Sequence, residues 1–299
     1  MDPRCGSRAD ALLSRPVNLS HDARVEWFVW LGLILLGAGA GAYGTMIGAG
    51  GGFFLVPVLI IVYPEWEPSV LTAVSLAVVF MTATSASGAY ARQKRIDFRA
   101  GLLFASATVP GAALSAVAVQ SIQSGAFEIA FGLLLLVVAA WLQMPRSNRV
   151  LVSPPPPRYI RRLLTDTHGD TYSYSFDPYL GWAIGLVIGL VATLFGVGGG
   201  IFYVPAMVLL MRFPAYIAVA TSSFVLMFTA GSAASAHLLL GSYSGVEGET
   251  LALVVGTVVG SQLGAFISAR LVAHQGVILK LLSFALAVVA LRQLLAALL

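Results

Sequence analysis

Ten apolar stretches run along the chain, at 27–47, 52–63, 69–91, 100–119, 126–143, 180–196, 200–211, 216–240, 249–271 and 277–297. Their apolar residues are continuous, not alternating, and most stretches approach the roughly 20 residues that carry an α-helix across a bilayer. The pattern predicts helices and excludes a porin-like barrel, whose strands alternate apolar and polar positions. Polar residues gather between the stretches, and one polar segment is long. It covers 144–179 and holds Arg146, Arg149, the run Pro154–Pro157, Arg158, Arg161 and Arg162. Four consecutive prolines favour an extended polyproline II path, so this segment is expected to join two halves and not to form a domain of its own.

The halves resemble each other. Gly48-Ala-Gly-Gly-Gly-Phe-Phe-Leu-Val-Pro57 aligns with Gly196-Val-Gly-Gly-Gly-Ile-Phe-Tyr-Val-Pro205, with seven of ten positions identical at an offset of 148. Similarity continues downstream, where Ala73-Val-Ser75 faces Ala220-Thr-Ser222 and Gly111-Ala-Ala-Leu114 faces Gly260-Ser-Gln-Leu263. Short and long apolar stretches follow the same order in both halves. This reads as an internal duplication, with a tail at 1–26, a first membrane repeat at 27–143, the linker at 144–179 and a second repeat at 180–299.

Composition and charge then fix the setting. Of 299 residues, 58% are apolar and only 10% are Asp, Glu, Lys or Arg. That is well under the roughly 25% charged residues of soluble domains, so a soluble enzyme is excluded and a multi-pass membrane protein, embedded in lipid, is expected. The net charge of +4 is read as membrane topology, with no nucleic-acid partner. The chain has one cysteine, Cys5, and hence no intrachain disulfide. No apolar segment precedes residue 27, so neither a cleaved signal peptide nor a lipid on Cys5 is expected.

Basic residues crowd the loop after 69–91 (Arg92, Lys94, Arg95, Arg99) and the linker, whereas 64–68 and 241–249 are acidic. Basic loops face the cytoplasm. A helix over 27–63 would be about 55 Å long against a hydrocarbon core of about 30 Å, so the segment must turn back, and 180–211 likewise. Each half is then a glycine-tipped hairpin of short helices plus three full spans. An odd number of spans inverts the second half relative to the first and leaves both termini outside. This arrangement puts 12 Lys/Arg and 4 Asp/Glu inside, against 5 and 9 outside. The expected fold is an all-α polytopic membrane protein of two inverted-topology repeats, with 8–10 membrane segments in all.

Candidate chemistry centres on the two glycine turns, Gly48, Gly50, Gly51, Gly52 and Gly196, Gly198, Gly199, Gly200. Backbone at membrane depth must be buried in protein or line a wet cavity. A glycine turn that opens a helix aims free N–H groups at one point and can hold an anion. The alternative is that the glycines only let helices pack closely. Pro57 and Pro205, five residues beyond the last glycine of each turn, are assigned a structural role. Hydroxyls recur in the flanking stretches, and Ser75 and Ser222 rank first because they are repeat-equivalent; Thr221 joins them as a candidate donor to an oxyanion. His237, opposite Tyr90 in the repeat alignment, is a candidate for meeting the anion or relaying a proton. Arg92, Lys94 and Arg95 read as topology determinants that also raise the local anion concentration. The sequence has no P-loop, no metal-ligand cluster and no nucleophile elbow, so no cofactor, no metal and no enzymatic activity are expected.

The duplicated G-x-G-G-G-x-x-x-x-P hairpin, the basic central linker, Pro110-Gly111 and Gly260-x-x-x-Gly264 together resemble the TauE/SafE family, of the 4-toluene sulfonate uptake permease type. The resemblance covers about residues 28–297. It implies export of a small sulfur-containing anion, such as sulfite, sulfoacetate or a related organosulfonate, by alternating access and with coupling to protons or the membrane potential. A passive anion channel on the same scaffold and a sulfonate uptake permease are the alternatives. Assembly into homo-oligomers is left open.

Overall fold

The structure is a computed structural model and describes residues 19–143, 159–167, 169–270, 287 and 290–291. Cys5, the four-proline run and the last apolar stretch, apart from Ala287, Ala290 and Leu291, lie outside the described residues. In chain order the elements are α1 (Leu19–Ile47), α2 (Gly52–Val62), α3 (Pro68–Arg92), α4 (Phe98–Ala118), α5 (Ser124–Gln143), β1 (Ile160–Thr165), β2 (Thr171–Phe176), α6 (Pro178–Leu194), α7 (Gly200–Pro205), α8 (Ala215–Leu239) and α9 (Glu247–Arg270). A wider π turn, Ala206–Leu210, extends α7 directly after Pro205, whose ring cannot supply the N–H of a regular helix. Five segments are long and apolar enough to cross a membrane: Trp27–Ile47, Pro68–Arg92, Phe98–Ser121, Ala215–Leu239 and Glu247–Ser268. Shorter apolar helices occupy Gly52–Val62, Ser124–Ala140, Pro178–Leu194 and Gly200–Leu210. The molecule is a mostly helical, multi-pass membrane protein.

Local chemistry sets the helix ends. Pro68 and Pro178 open α3 and α6 in the first turn, where a missing N–H is harmless. Asp97 caps α4 by accepting from Ala100 N–H, and Asp177 caps α6 by accepting from Tyr179 and Leu180 N–H. Both α3 and α8 close with a left-handed residue, Lys94 (φ 54°) and Gly241 (φ 74°). In each, the next N–H reaches back to the helix: Arg95 N to Tyr90 O at 3.1 Å and Ser242 N to His237 O at 3.0 Å.

Packing follows small residues. α1 lies along α9, with Gly37 and Gly41 facing the backbone of Leu253 and Thr257, and Gly256, Gly260 and Gly264 facing that of Ile34, Ala38 and Ala42. α6 lies along α4 in the same manner, with Gly185 on Ala107 and Gly189 on Thr108. In lipid such close approach, not water exclusion, holds helices together. Leucines and valines such as Leu114, Val137, Val187 and Val259 stay exposed on the outside, as lipid contact requires.

Two expectations are corrected. The hairpins were expected to consist of short helices, yet α1 is long enough to cross by itself. Its glycines do not break it because its contacts with α9 override their weak helix propensity. The linker was expected to run extended within an all-α fold. Its second part instead forms an antiparallel hairpin, with Ile160 opposite Phe176 and Thr165 opposite Thr171. The alternation Thr171-Tyr-Ser-Tyr-Ser-Phe176 puts Tyr172, Tyr174 and Phe176 on one face, which packs on Phe213 and Tyr216 of the second half and Phe104 of the first.

Candidate functional site

Each glycine of the two turns has a physical reason to be glycine. The first three of each turn are left-handed: Gly48, Gly50 and Gly51 have φ 76°, 76° and 84°, and Gly196, Gly198 and Gly199 have φ 70°, 78° and 108°. The fourth is required by contact. A Cβ on Gly52 would meet the carbonyl oxygen of Gly196, and a Cβ on Gly200 would meet that of Gly48. The turns therefore lie directly against each other. Gly50 and Gly198 face the same two side chains, Val79 and Leu226.

Hydroxyls tie the turns across the halves. Ser75 Oγ donates to Gly196 O at 2.7 Å, and Ser222 Oγ lies 3.0 Å from Gly48 O and 2.9 Å from Val219 O. A second reciprocal pair joins helices: Thr82 Oγ1 to Thr257 Oγ1 at 2.6 Å, and Thr229 Oγ1 to Thr108 Oγ1 at 2.8 Å. All the turn residues from Gly48 to Gly52 and from Gly196 to Gly200 are buried, so the centre is closed in this conformation. Six N–H groups there have no acceptor among the described residues: Gly51, Gly52 and Phe53, and Gly199, Gly200 and Ile201. They are the donors that the start of a helix leaves free. Around them pack Phe53 and Ile201, with Phe127 and Phe131 of α5 at 5.5 and 5.7 Å from the ring of Phe195. Pro57 and Pro205 are buried inside the short helices that follow.

The other candidate residues are not gathered at this point. Thr221 is turned to the neighbouring loop, where its Oγ1 accepts from Asp97 N–H at 3.1 Å. His237 lies fifteen residues beyond Ser222 on α8, about 22 Å along the axis. It is fully buried, its Nδ1 meets Ser242 Oγ at 3.1 Å, and its Nε2 has no partner among the described residues.

A polar cluster that sequence reasoning missed closes the end of the molecule carrying the basic loop. The Asp97 carboxylate accepts Arg162 Nε at 2.8 Å and Nη2 at 2.7 Å, Tyr174 Oη at 2.7 Å and Ala100 N–H. Burial alone would raise the carboxyl, but these donors hold it below its usual range. Burial and the adjoining carboxylate push the Tyr174 phenol up. Arg95 is fully buried beside this cluster, and burial lowers its pKa. The signal available in the sequence was Asp97 itself, the one acidic residue in a basic loop.

A helical membrane scaffold with two interlocked glycine turns and no polar channel residues of fixed charge at the turns has the make-up of a small-solute transporter. The family model described as sulfite exporter TauE/SafE matches residues 33–293, and the chain belongs to that family. These are membrane transporters, not enzymes. The chain is 33% identical over 245 residues to the probable membrane transporter protein YunE of Bacillus subtilis, covering 80% of this chain and 88% of the relative. It is 27% identical over 202 residues to a probable membrane transporter protein of Methanocaldococcus jannaschii, covering 66% of this chain and 68% of that one. No solved structure matches the chain.

Proposed function

We propose that the protein is a secondary exporter of small sulfur oxyanions, such as sulfite, sulfoacetate or a related organosulfonate, across the cytoplasmic membrane. Two inverted-topology repeats, 27–143 and 180–299, rock about the paired glycine turns, with 144–179 as the connecting segment on the cytoplasmic side. The observation that carries the reading is the exchange of hydrogen bonds between the halves. Ser75 of the first half holds the turn of the second, and Ser222 of the second reaches the turn of the first. Contacts exchanged in this way are what a twofold axis between two repeats would generate, and transporters built so bind their substrate at that axis. The family's description as sulfite exporters supports the substrate class.

In the substrate-bound conformation the free N–H groups of Gly51, Gly52, Gly199 and Gly200 donate to the oxyanion, and Ser75, Ser222 and Thr221 turn to it as the repeats separate. Such donors hold an anion without fixed charge, so it can also leave. His237 is the candidate for proton coupling. The test is a thermal-shift panel on detergent-purified protein. A ligand present at 100 times its Kd adds about 2.7 kcal/mol to the apparent stability. Sulfite or a sulfonate is expected to raise Tm while chloride at equal ionic strength does not; no shift with any sulfur anion would count against the assignment.

A further inference from the structure

A groove of about 400 Å³ runs between α3, α8 and α9, at the end of the molecule opposite to the basic loop. Ala77, Phe80 and Met81 of α3 form one wall, and Gly231 and Ala234 of α8 form another. Leu238 and Leu251 flank its opening and are 68% and 64% exposed, as side chains facing lipid are. Tyr243 and Glu247 stand at the rim. The Tyr243 phenol ties the α8–α9 loop to α3 by donating to Ala73 O at 3.0 Å. Glu247 is exposed, and its Oε2 accepts Gly245 N–H at 3.0 Å.

The groove lies within spanning helices, so its surroundings are hydrocarbon and not water. From Leu238 to Gly231 it follows seven residues of α8, which is about 10 Å of helix. One leaflet of a hydrocarbon core is about 15 Å deep, so the groove runs from the interface through most of one leaflet. Its mainly apolar walls give water little to bond.

The other half of the chain closes the matching space with its own side chains. At the offset that pairs Ser75 with Ser222, Phe224 matches Ala77; at the offset that pairs Gly111 with Gly260, Phe98 matches Glu247. The rings of Phe98 and Phe224 meet edge to face at 5.1 Å, and Phe228 packs on Phe224 at 5.2 Å. Gly101 leaves room for the Phe224 ring, which a Cβ there would meet at 2.6 Å. Aromatic rings thus fill one place, while Ala77 leaves the other vacant and Glu247 puts a carboxylate at its mouth.

We propose that this groove is a binding site for a single phospholipid with a primary ammonium headgroup. One acyl chain lies between α3, α8 and α9, and the ammonium meets the Glu247 carboxylate at the rim. The lipid fills the seam between α3 of the first half and α8 and α9 of the second, where the opposite seam is filled by phenylalanine. The site is separate from the glycine turns and is independent of which solute the protein moves.

The test titrates full-length, delipidated protein in mild detergent with phosphatidylethanolamine or phosphatidylglycerol of identical chains, read by native mass spectrometry. The first phosphatidylethanolamine is expected to bind at least about tenfold more tightly than those that follow. Ala77→Phe, which copies the residue of the other half, is expected to weaken that first binding by about tenfold or more. Glu247→Gln is expected to lower the preference for phosphatidylethanolamine over phosphatidylglycerol by about threefold, as an exposed ion pair would. If Ala77→Phe does not fold, Ala77→Leu carries the same comparison. Equal binding by the wild type and the folded groove variants overturns the site. A preference for phosphatidylethanolamine that Glu247→Gln leaves unchanged, or no such preference, overturns the headgroup assignment. A dimer that carries no phospholipid and is split by Ala77→Phe would show that a second copy of the chain fills the groove, and overturns the proposal as a whole.

Discussion

At the scale of single residues, the turns show two separate demands that glycine alone meets. Gly48, Gly50, Gly51 and their counterparts adopt left-handed backbone, while Gly52 and Gly200 do not. These last two are fixed by the approach of one turn to the other. Gly52→Ala and Gly200→Ala are accordingly expected to push the turns apart, at a cost of about 1–3 kcal/mol each, and to abolish sulfite efflux while membrane insertion persists. Gly88→Ala is the control, since nothing lies within 4 Å of a Cβ there, and efflux assays on all three variants check the difference. The glycine pattern was legible in the sequence because a left-handed turn is a local requirement. The partners of the hydroxyls were not. Ser75 and Ser222 were expected to face an anion, and in this conformation they face carbonyl oxygens more than 120 residues away, 121 and 174 in sequence separation. The same distance in sequence hid Asp97, whose partners Arg162 and Tyr174 are 65 and 77 positions further on.

At the scale of elements, the apolar stretches marked the helices well, because hydrophobic continuity and capping residues such as Asp97 and Asp177 act within a few positions. The β-hairpin escaped because the proline run beside it suggested an extended linker, although the Tyr-Ser-Tyr-Ser-Phe alternation of β2 carries the period of a strand. The hairpin is pinned to both halves: by Arg162 and Tyr174 to Asp97, and by Tyr174 and Phe176 to Phe213. Asp97→Asn removes the charge that Arg162 and Tyr174 serve and is expected to lower stability by about 1.5–3 kcal/mol. Faster tryptic cleavage after Arg161 and Arg162 would report the loosened hairpin. Acid acts in the same direction. The Asp97 carboxyl is held below its unfolded value, so its contribution is present above about pH 4 and is lost as the pH falls through the lowered folded value. Asp97→Asn should therefore flatten the acid limb of the Tm–pH curve, and an unchanged acid limb would show that the contact adds nothing.

At the scale of the whole molecule, the two halves are interlocked, not merely adjacent. The first helix of each half packs on the fourth of the other, α1 on α9 and α6 on α4, while α3 and α8 cross between them. The scarcity of charge that marks the chain as a membrane protein also shapes its chemistry. The turns offer N–H groups and hydroxyls in place of fixed charge. In the proposed mechanism the protein moves an anion by changing the exposure of a weak central site, and it needs an external gradient to move it uphill. The direct measurement is sulfite flux in proteoliposomes loaded with equal sulfite on both sides and then given a pH gradient, with the membrane potential held at zero. The account predicts net movement of sulfite against its own rising gradient, dependent on the imposed gradient and lost in Gly52→Ala. Flux that only follows the electrochemical gradient of sulfite, or no flux at all, would contradict it.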